Sequence, residues 1–120
     1  MATNQVYDLG NLRTLAVACT APTTPASGDP VLLGQLPGVA LADEDSAGLT
    51  TIATDGVFTL AVKGEDGAGN AAIAAGDIVY YDSAATVKVN KDSTNGVRFG
   101  YALEAVSSGA TSSIKVKVGY

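Results

Sequence analysis

Apolar and polar positions alternate along much of the chain with a period of two. The clearest run is Ile114-Lys115-Val116-Lys117-Val118, with β-branched residues on one face and lysines on the other. That is the pattern of a half-buried antiparallel strand. Val87-Lys88-Val89 repeats it in miniature. In Gly56–Lys63 the residues Phe58, Leu60 and Val62 share a face, and in Val97–Leu103 the apolar side reads Val97, Phe99, Tyr101 and Leu103. Ile78-Val79-Tyr80-Tyr81 is apolar on both faces, as a central strand requires, and if it is a strand one of the two tyrosines points away from the core. Turn dipeptides separate the runs: Gly28-Asp29-Pro30, Leu36-Pro37-Gly38, Asp55-Gly56, Gly76-Asp77 and Asn95-Gly96. Only Asn70–Ala75 has helical character, at most two turns before Gly76, or a loop with a single helical turn. The expected fold is mainly β, a small β-barrel or β-sandwich.

Residues 1–26 alternate loosely, and Thr20-Ala21-Pro22-Thr23-Thr24-Pro25 favours extended backbone. They read as an extended N-terminal arm or edge segment, or equally as an ordinary first strand and loop, with residues 27–120 as a single β domain. An internal echo runs through the chain. Gly28-Asp29-Pro30-Val31 and Gly38-Val39-Ala40-Leu41-Ala42 return as Gly76-Asp77-Ile78-Val79 and Gly100-Tyr101-Ala102-Leu103-Glu104-Ala105. The two parts start 10 residues apart in the first copy and 24 in the second, room for an added hairpin around Val87 to Asn95. Two similar β units would give the fold an approximate internal repeat; similar turns arising independently on β strands are the alternative.

Composition narrows the function classes. The chain has 120 residues, one domain's worth, and 47% are hydrophobic. Twenty of these are alanine, with two Phe and no Trp, so the expected core is thin and open to help from a partner chain. The absence of histidine removes Ser-His-Asp and Cys-His catalysis and most zinc sites. The single cysteine, Cys19, cannot form an internal disulfide; within Leu15–Cys19 it reads as a buried small hydrophobe. The net charge of −5 argues against nucleic acid as a partner. The excess is local: residues 1–60 carry six acids and one base, residues 61–120 six of each. No apolar run approaches the roughly 20 residues of a membrane span, and the first residues lack the pattern of a signal peptide. The expectation is no membrane, with synthesis in a cytoplasm.

The candidate chemical motifs are thin. Gly67-Ala68-Gly69-Asn70-Ala71-Ala72 matches a loose dinucleotide pattern, but no adequate helix follows and Glu65 and Asp66 would repel phosphate. No Gly-Lys pair exists, so there is no P-loop. Asp43-Glu44-Asp45-Ser46-Ala47-Gly48 begins like a calcium loop, but Ala47 and Thr54 fall where later acidic ligands belong. The remaining carboxylates sit mostly in turns; Glu104, on a strand after Leu103, is expected to face solvent or a neighbouring subunit. No catalytic, metal or cofactor-binding set emerges, and none is expected. A ligand in a barrel mouth stays open as an alternative.

Four runs carry a resemblance: Gly38–Asp43, Asp55–Leu60, Ala75–Asp82 and Gly100–Ala105, in order within about Gly28 to Val118. Together they resemble the tailed-phage capsid decoration, or head cement, family, long catalogued as a domain of unknown function and sometimes labelled a predicted phage recombinase. The missing P-loop, the acidic balance and the short chain argue against the recombinase label. Tyr81 stands where many relatives would carry tryptophan. The resemblance implies a non-enzymatic structural protein on the outer surface of the phage head, bound to the major capsid protein, as a homotrimer, and stabilising the shell. It carries no motif for capsid contact. From their place in a weakly patterned terminus, residues 2–12 are the expected contacting arm, with Tyr7, Leu9 and Leu12 as anchors. Another virion role, such as a head fibre base or tail component, is the alternative.

Overall fold

The computed structural model describes residues 14–119. Eleven strands are present and no helix among the described residues: β1 (Thr14–Val17), β2 (Pro30–Leu33), β3 (Leu36–Ala40), β4 (Thr50–Ala53), β5 (Gly56–Lys63), β6 (Glu65–Asp66), β7 (Gly69–Asn70), β8 (Ile78–Tyr81), β9 (Val89–Asn90), β10 (Val97–Ala102) and β11 (Thr111–Val118). The segment from Asn70 to Ala75 is not helical. Asn70 ends β7 and Ile73 forms a bridge with Val106. Ile73 is buried against the core, so tertiary packing overrides the alanine-rich local preference.

The strands form a four-stranded sheet in the order β1-β4-β3-β2, a closed barrel in the order β10-β11-β5-β9-β8, and the small β6-β7 hairpin. The first two are the same motif built twice. Ile52 pairs with Leu15 and with Ala40 in the sheet, as Val116 pairs with Phe58 and with Ala102 in the barrel. Val31 pairs with Gly38, as Val79 pairs with Gly100. The turn chemistry repeats bond for bond. Gly28 N–H donates to Ala40 O (2.8 Å) and Gly76 N–H to Ala102 O (2.6 Å). Ala40 N–H donates to Asp29 O (2.9 Å) and Ala102 N–H to Asp77 O (2.9 Å). The carboxylates of Asp29 and Asp77 accept from Ala26 N–H (3.0 Å) and Ala74 N–H (2.9 Å). Gly28 and Gly76 both adopt positive φ, +89° and +93°, so the Gly-Asp pairs mark a turn that needs glycine first and a side-chain acceptor second.

The two units differ in how they close. Beyond β1 the chain bends so that the N–H groups of Thr20 and Ala21 donate to Leu32 O (2.8 and 3.2 Å), which curls the first sheet on itself. In the second unit β9 lies between β5 and β8, parallel to the former and antiparallel to the latter, and completes a wider barrel. It belongs to the extra sequence between the two parts of the echo. Asp92 shapes the return from it: its carboxylate accepts from Thr94 N–H, Asn95 N–H and the Asn95 side-chain amide at 2.9–3.0 Å. Those bonds, led by the two from Asn95, hold the Asp92 carboxyl below the ordinary value for aspartate.

A β-bulge between Arg98 and Gly100 inserts Phe99 into β10. It changes the face expected for this run. Phe99 and Ala102 are buried, whereas Tyr101 and Leu103 point outward, because one extra residue reverses the alternation beyond it. Phe99 fills the wider lumen and stacks on Tyr81, with ring centroids 6.4 Å apart and planes 30° apart. Around them pack Leu60, Val62, Val79, Val89, Ile114, Val116 and Val118. Of the adjacent tyrosines Tyr81 is the inward one and Tyr80 faces out. Burial pushes the Tyr81 phenol up, helped by nearby Asp29 and Cys19. Gly100 follows the bulge because a Cβ there would overlap the carbonyl oxygen of Lys117.

The smaller first core holds Val31, Ala40 and Ile52, with Val17 and Cys19 packed against it. Leu32 and Val39 face the other way and join the core cluster of the second unit, fusing the halves.

Candidate binding surface

Tyr7, Leu9 and Leu12 lie outside the described residues. The other sequence-selected groups can be placed. Cys19 is only half-buried; burial raises its thiol pKa, contact with the Thr50 hydroxyl offsets part of the rise, and Glu44 adds to it. These contacts do nothing to activate the thiol.

The glycine-rich loop is the tip of the β6-β7 hairpin. The carboxylate of Asp66 accepts from Ala68 N–H (2.8 Å) and Gly69 N–H (3.1 Å), so amides that a phosphate would need are already occupied by an anion. The acidic turn is organised in the same manner. Asp45 Oδ1 accepts from Ala47 N–H and Leu49 N–H, both at 2.9 Å, and Asp43 Oδ1 accepts from Ser27 N–H at 2.8 Å. Among the described residues no group of three His, Cys, Asp or Glu side chains converges on a common point. Glu104 lies just past the end of β10, exposed, with Oε2 accepting from Lys115 N–H at 3.0 Å.

The clefts are shallow. One of about 480 Å³ is lined by Asp66, Gly67, Ala68, Lys91, Ser93 and Thr94. An adjoining one of about 370 Å³ shares Lys91 and Ser93. Lys91 forms an ion pair with Asp77 (3.1 Å) and donates to Ala72 O (3.5 Å), so its charge is already engaged. Together with the Ala74 N–H, the larger influence, that lysine lowers the Asp77 pKa. Neither cleft gathers the converging polar groups of a catalytic site.

The outer wall of the barrel is different. On strands β10, β11 and β5, one cross-strand row runs Tyr101–Lys117–Val57; a second places Leu103 and Thr59 on either side of Lys115. Val57 is 53% exposed and Leu103 42%. At the margin the guanidinium of Arg98 lies over the Tyr101 ring, 5.5 Å from its centroid, and donates to the phenol oxygen at 2.6 Å. Among the described residues Lys115 and Lys117 have no ion-pair partner, while Lys63 pairs with Glu65 at 3.3 Å. A sheet wall with exposed apolar groups and lysines has the composition that protein interfaces use. The signal for it in the sequence was the Lys-Val-Lys alternation. The outward place of Tyr101 and Leu103 could not be read there, because the bulge that sets it leaves no local mark.

A tandem β protein whose lumens are filled by its own side chains and whose open surface is a sheet wall belongs, as a class, with the small structural binding proteins. The comparison with known families agrees: the phage cement protein family matches residues 10–118, and the chain belongs to it. No curated protein and no solved structure matches the chain. Membership gives the protein a structural role at the phage capsid.

Proposed function

We propose that the chain is a non-enzymatic cement protein that binds the outer surface of the phage head through the major capsid protein and stabilises the shell. The family match over nearly the whole folded region carries this reading. The geometry supports it: the shallow clefts lack converging catalytic groups, and the second unit presents a broad outer wall. Many copies, each adding a modest binding free energy, stabilise the assembled shell by linkage. In this reading the protein sits as a homotrimer, residues 27–120 form its single β domain, residues 1–26 are an extended arm or edge segment whose β1 lies at the edge of the first sheet, and Tyr7, Leu9 and Leu12 anchor residues 2–12 on the capsid.

Co-sedimentation with empty, expanded heads of the parent phage, titrated to saturation, tests the reading. A saturable plateau is expected, at a copy number matching threefold or quasi-threefold positions. Absence of binding refutes it and directs the search to another virion component. Deleting residues 2–12 tests the arm separately; unchanged binding would remove that assignment.

A further inference from the structure

We infer that the outer wall of the second unit, centred on Val57, Tyr101, Leu103, Lys115 and Lys117, is the surface that faces the shell, and that it docks on an acidic patch of the capsid lattice. This rests on the cement reading above and specifies the surface that performs it.

The first argument comes from the duplication. Tyr101 and Lys117 occupy the same places in the second unit as Val39 and Ala53 in the first: Val39 pairs with Ala53, and Tyr101 with Lys117. Val39 and Ala53 are buried, and Val39 joins the barrel's core cluster. The first unit thus covers the Val39–Ala53 part of this face intramolecularly, while Leu41 and Thr51, the counterparts of Leu103 and Lys115, stay exposed. The matching Tyr101–Lys117 part of the second unit has no such cover among the described residues, and Val57 and Leu103 beside it face outward. Apolar groups on a small, thinly cored protein are costly to leave in water unless a partner buries them.

The second argument is electrostatic. The chain carries a net −5, but this wall carries Lys115 and Lys117 without ion-pair partners among the described residues, with Arg98 at its margin. Unpaired lysines flanking apolar side chains select an anionic surface that also offers apolar contact. The same partner repels the acidic turn Asp43-Glu44-Asp45. The molecule is therefore steered with its basic wall inward and its acidic turn outward. A duplex backbone would meet the same cations, but it offers anionic charge without the apolar contact that exposed Val57 and Leu103 call for.

The test is a Lys115→Glu/Lys117→Glu variant of the full chain, co-sedimented with expanded heads at two salt concentrations. Asp43→Asn/Glu44→Gln serves as a charge-changed control away from the wall. Both lysines are on the solvent side, so circular dichroism and thermal melting should report an intact fold; Val57→Ser, a milder change at the same wall, covers the case in which they do not. For the wild type, binding should weaken as salt rises. For the lysine variant, affinity should fall roughly tenfold or more, while the control, which removes repelling charge, should lose none. Wild-type binding with an unaffected lysine variant and an unaffected Val57→Ser would overturn the surface and leave the cement reading standing. No wild-type binding would overturn the cement reading itself. If the lysine changes alter only self-association of the free chain and head binding persists, the wall is a contact between copies and the inference fails. Retention of the wild-type chain on duplex DNA at physiological salt, abolished by the lysine changes, would likewise overturn it.

Discussion

The two halves are one design carried out at two sizes. Lumen positions correspond pair by pair through the matched strand registers: Val17 with Leu60, Val31 with Val79, Ala40 with Ala102, Ile52 with Val116. The second unit adds β9 to its circumference and Phe99 to its interior, and Tyr81 turns inward to meet the new ring. A wider barrel leaves a void unless larger side chains fill it, so the inserted strand and the inserted aromatic are consequences of one another. The first unit, without either, keeps a small core and fills two lumen positions with Cys19 and Thr50, where the second unit has Val62 and Ile114. The Thr50 hydroxyl is fully buried and lacks a partner of ordinary hydrogen-bond geometry, lying against the weakly polar Cys19 thiol. The second unit thus holds the larger core, and the first contributes Leu32 and Val39 from its outer face to the join.

Phe99→Ala should break this comparison most strongly. It empties the lumen feature that only the second unit has, and the expected loss is about 3–5 kcal/mol by chemical denaturation. A loss near that of an exposed substitution would refute the idea that the ring fills the wider barrel. Next come the matched glycines. At Gly100 an added Cβ overlaps the Lys117 backbone oxygen, whereas at Gly38 it meets Ala53 O and Ile52 Cδ1 at 3.0 Å. Gly100→Ala should cost roughly 2–3 kcal/mol and Gly38→Ala about 1 kcal/mol; equal losses would show that the bulge adds no crowding. Thr50→Val should stabilise the first unit by about 1 kcal/mol, because it removes an unsatisfied buried hydroxyl at nearly constant shape. Destabilisation in the same denaturation assay would mean that the Cys19 contact matters more than its weak geometry implies.

The smallest effect concerns pH. The folded pKa of Asp77 lies below its unfolded value, so its contribution is present above the ordinary aspartate pKa of about 3.9 and is lost as pH falls through the lowered folded value. The group is largely exposed, so Asp77→Asn should change stability at neutral pH by less than about 1 kcal/mol. It should flatten part of the decline below about pH 4. An unchanged acid limb in melts across that range would remove Asp77 from the account.

The repeat was legible because its signal is chemical and local. A Gly-Asp turn needs a glycine at positive φ and a carboxylate for the N–H three residues back, and the sequence displays both twice. Strands β5 and β11 were legible for a similar reason, since Phe58, Leu60 and Val62 and then Ile114, Val116 and Val118 keep strict alternation. Cys19 packs against the first core as its apolar neighbours suggest, but it is only partly buried.

The sequence alone determined a mainly β chain with an internal echo and without histidine for the catalytic chemistries that need it. These follow from residue type, alternation and turn preference, which act over a few neighbouring residues. Tertiary structure decided that one unit closes as a five-stranded barrel, that Phe99 is a bulge, and that Tyr101 points outward, uncovered among the described residues, while its counterpart Val39 is buried. Each depends on strand pairing across the fold, and a one-residue shift in pairing reverses which side of a strand meets water.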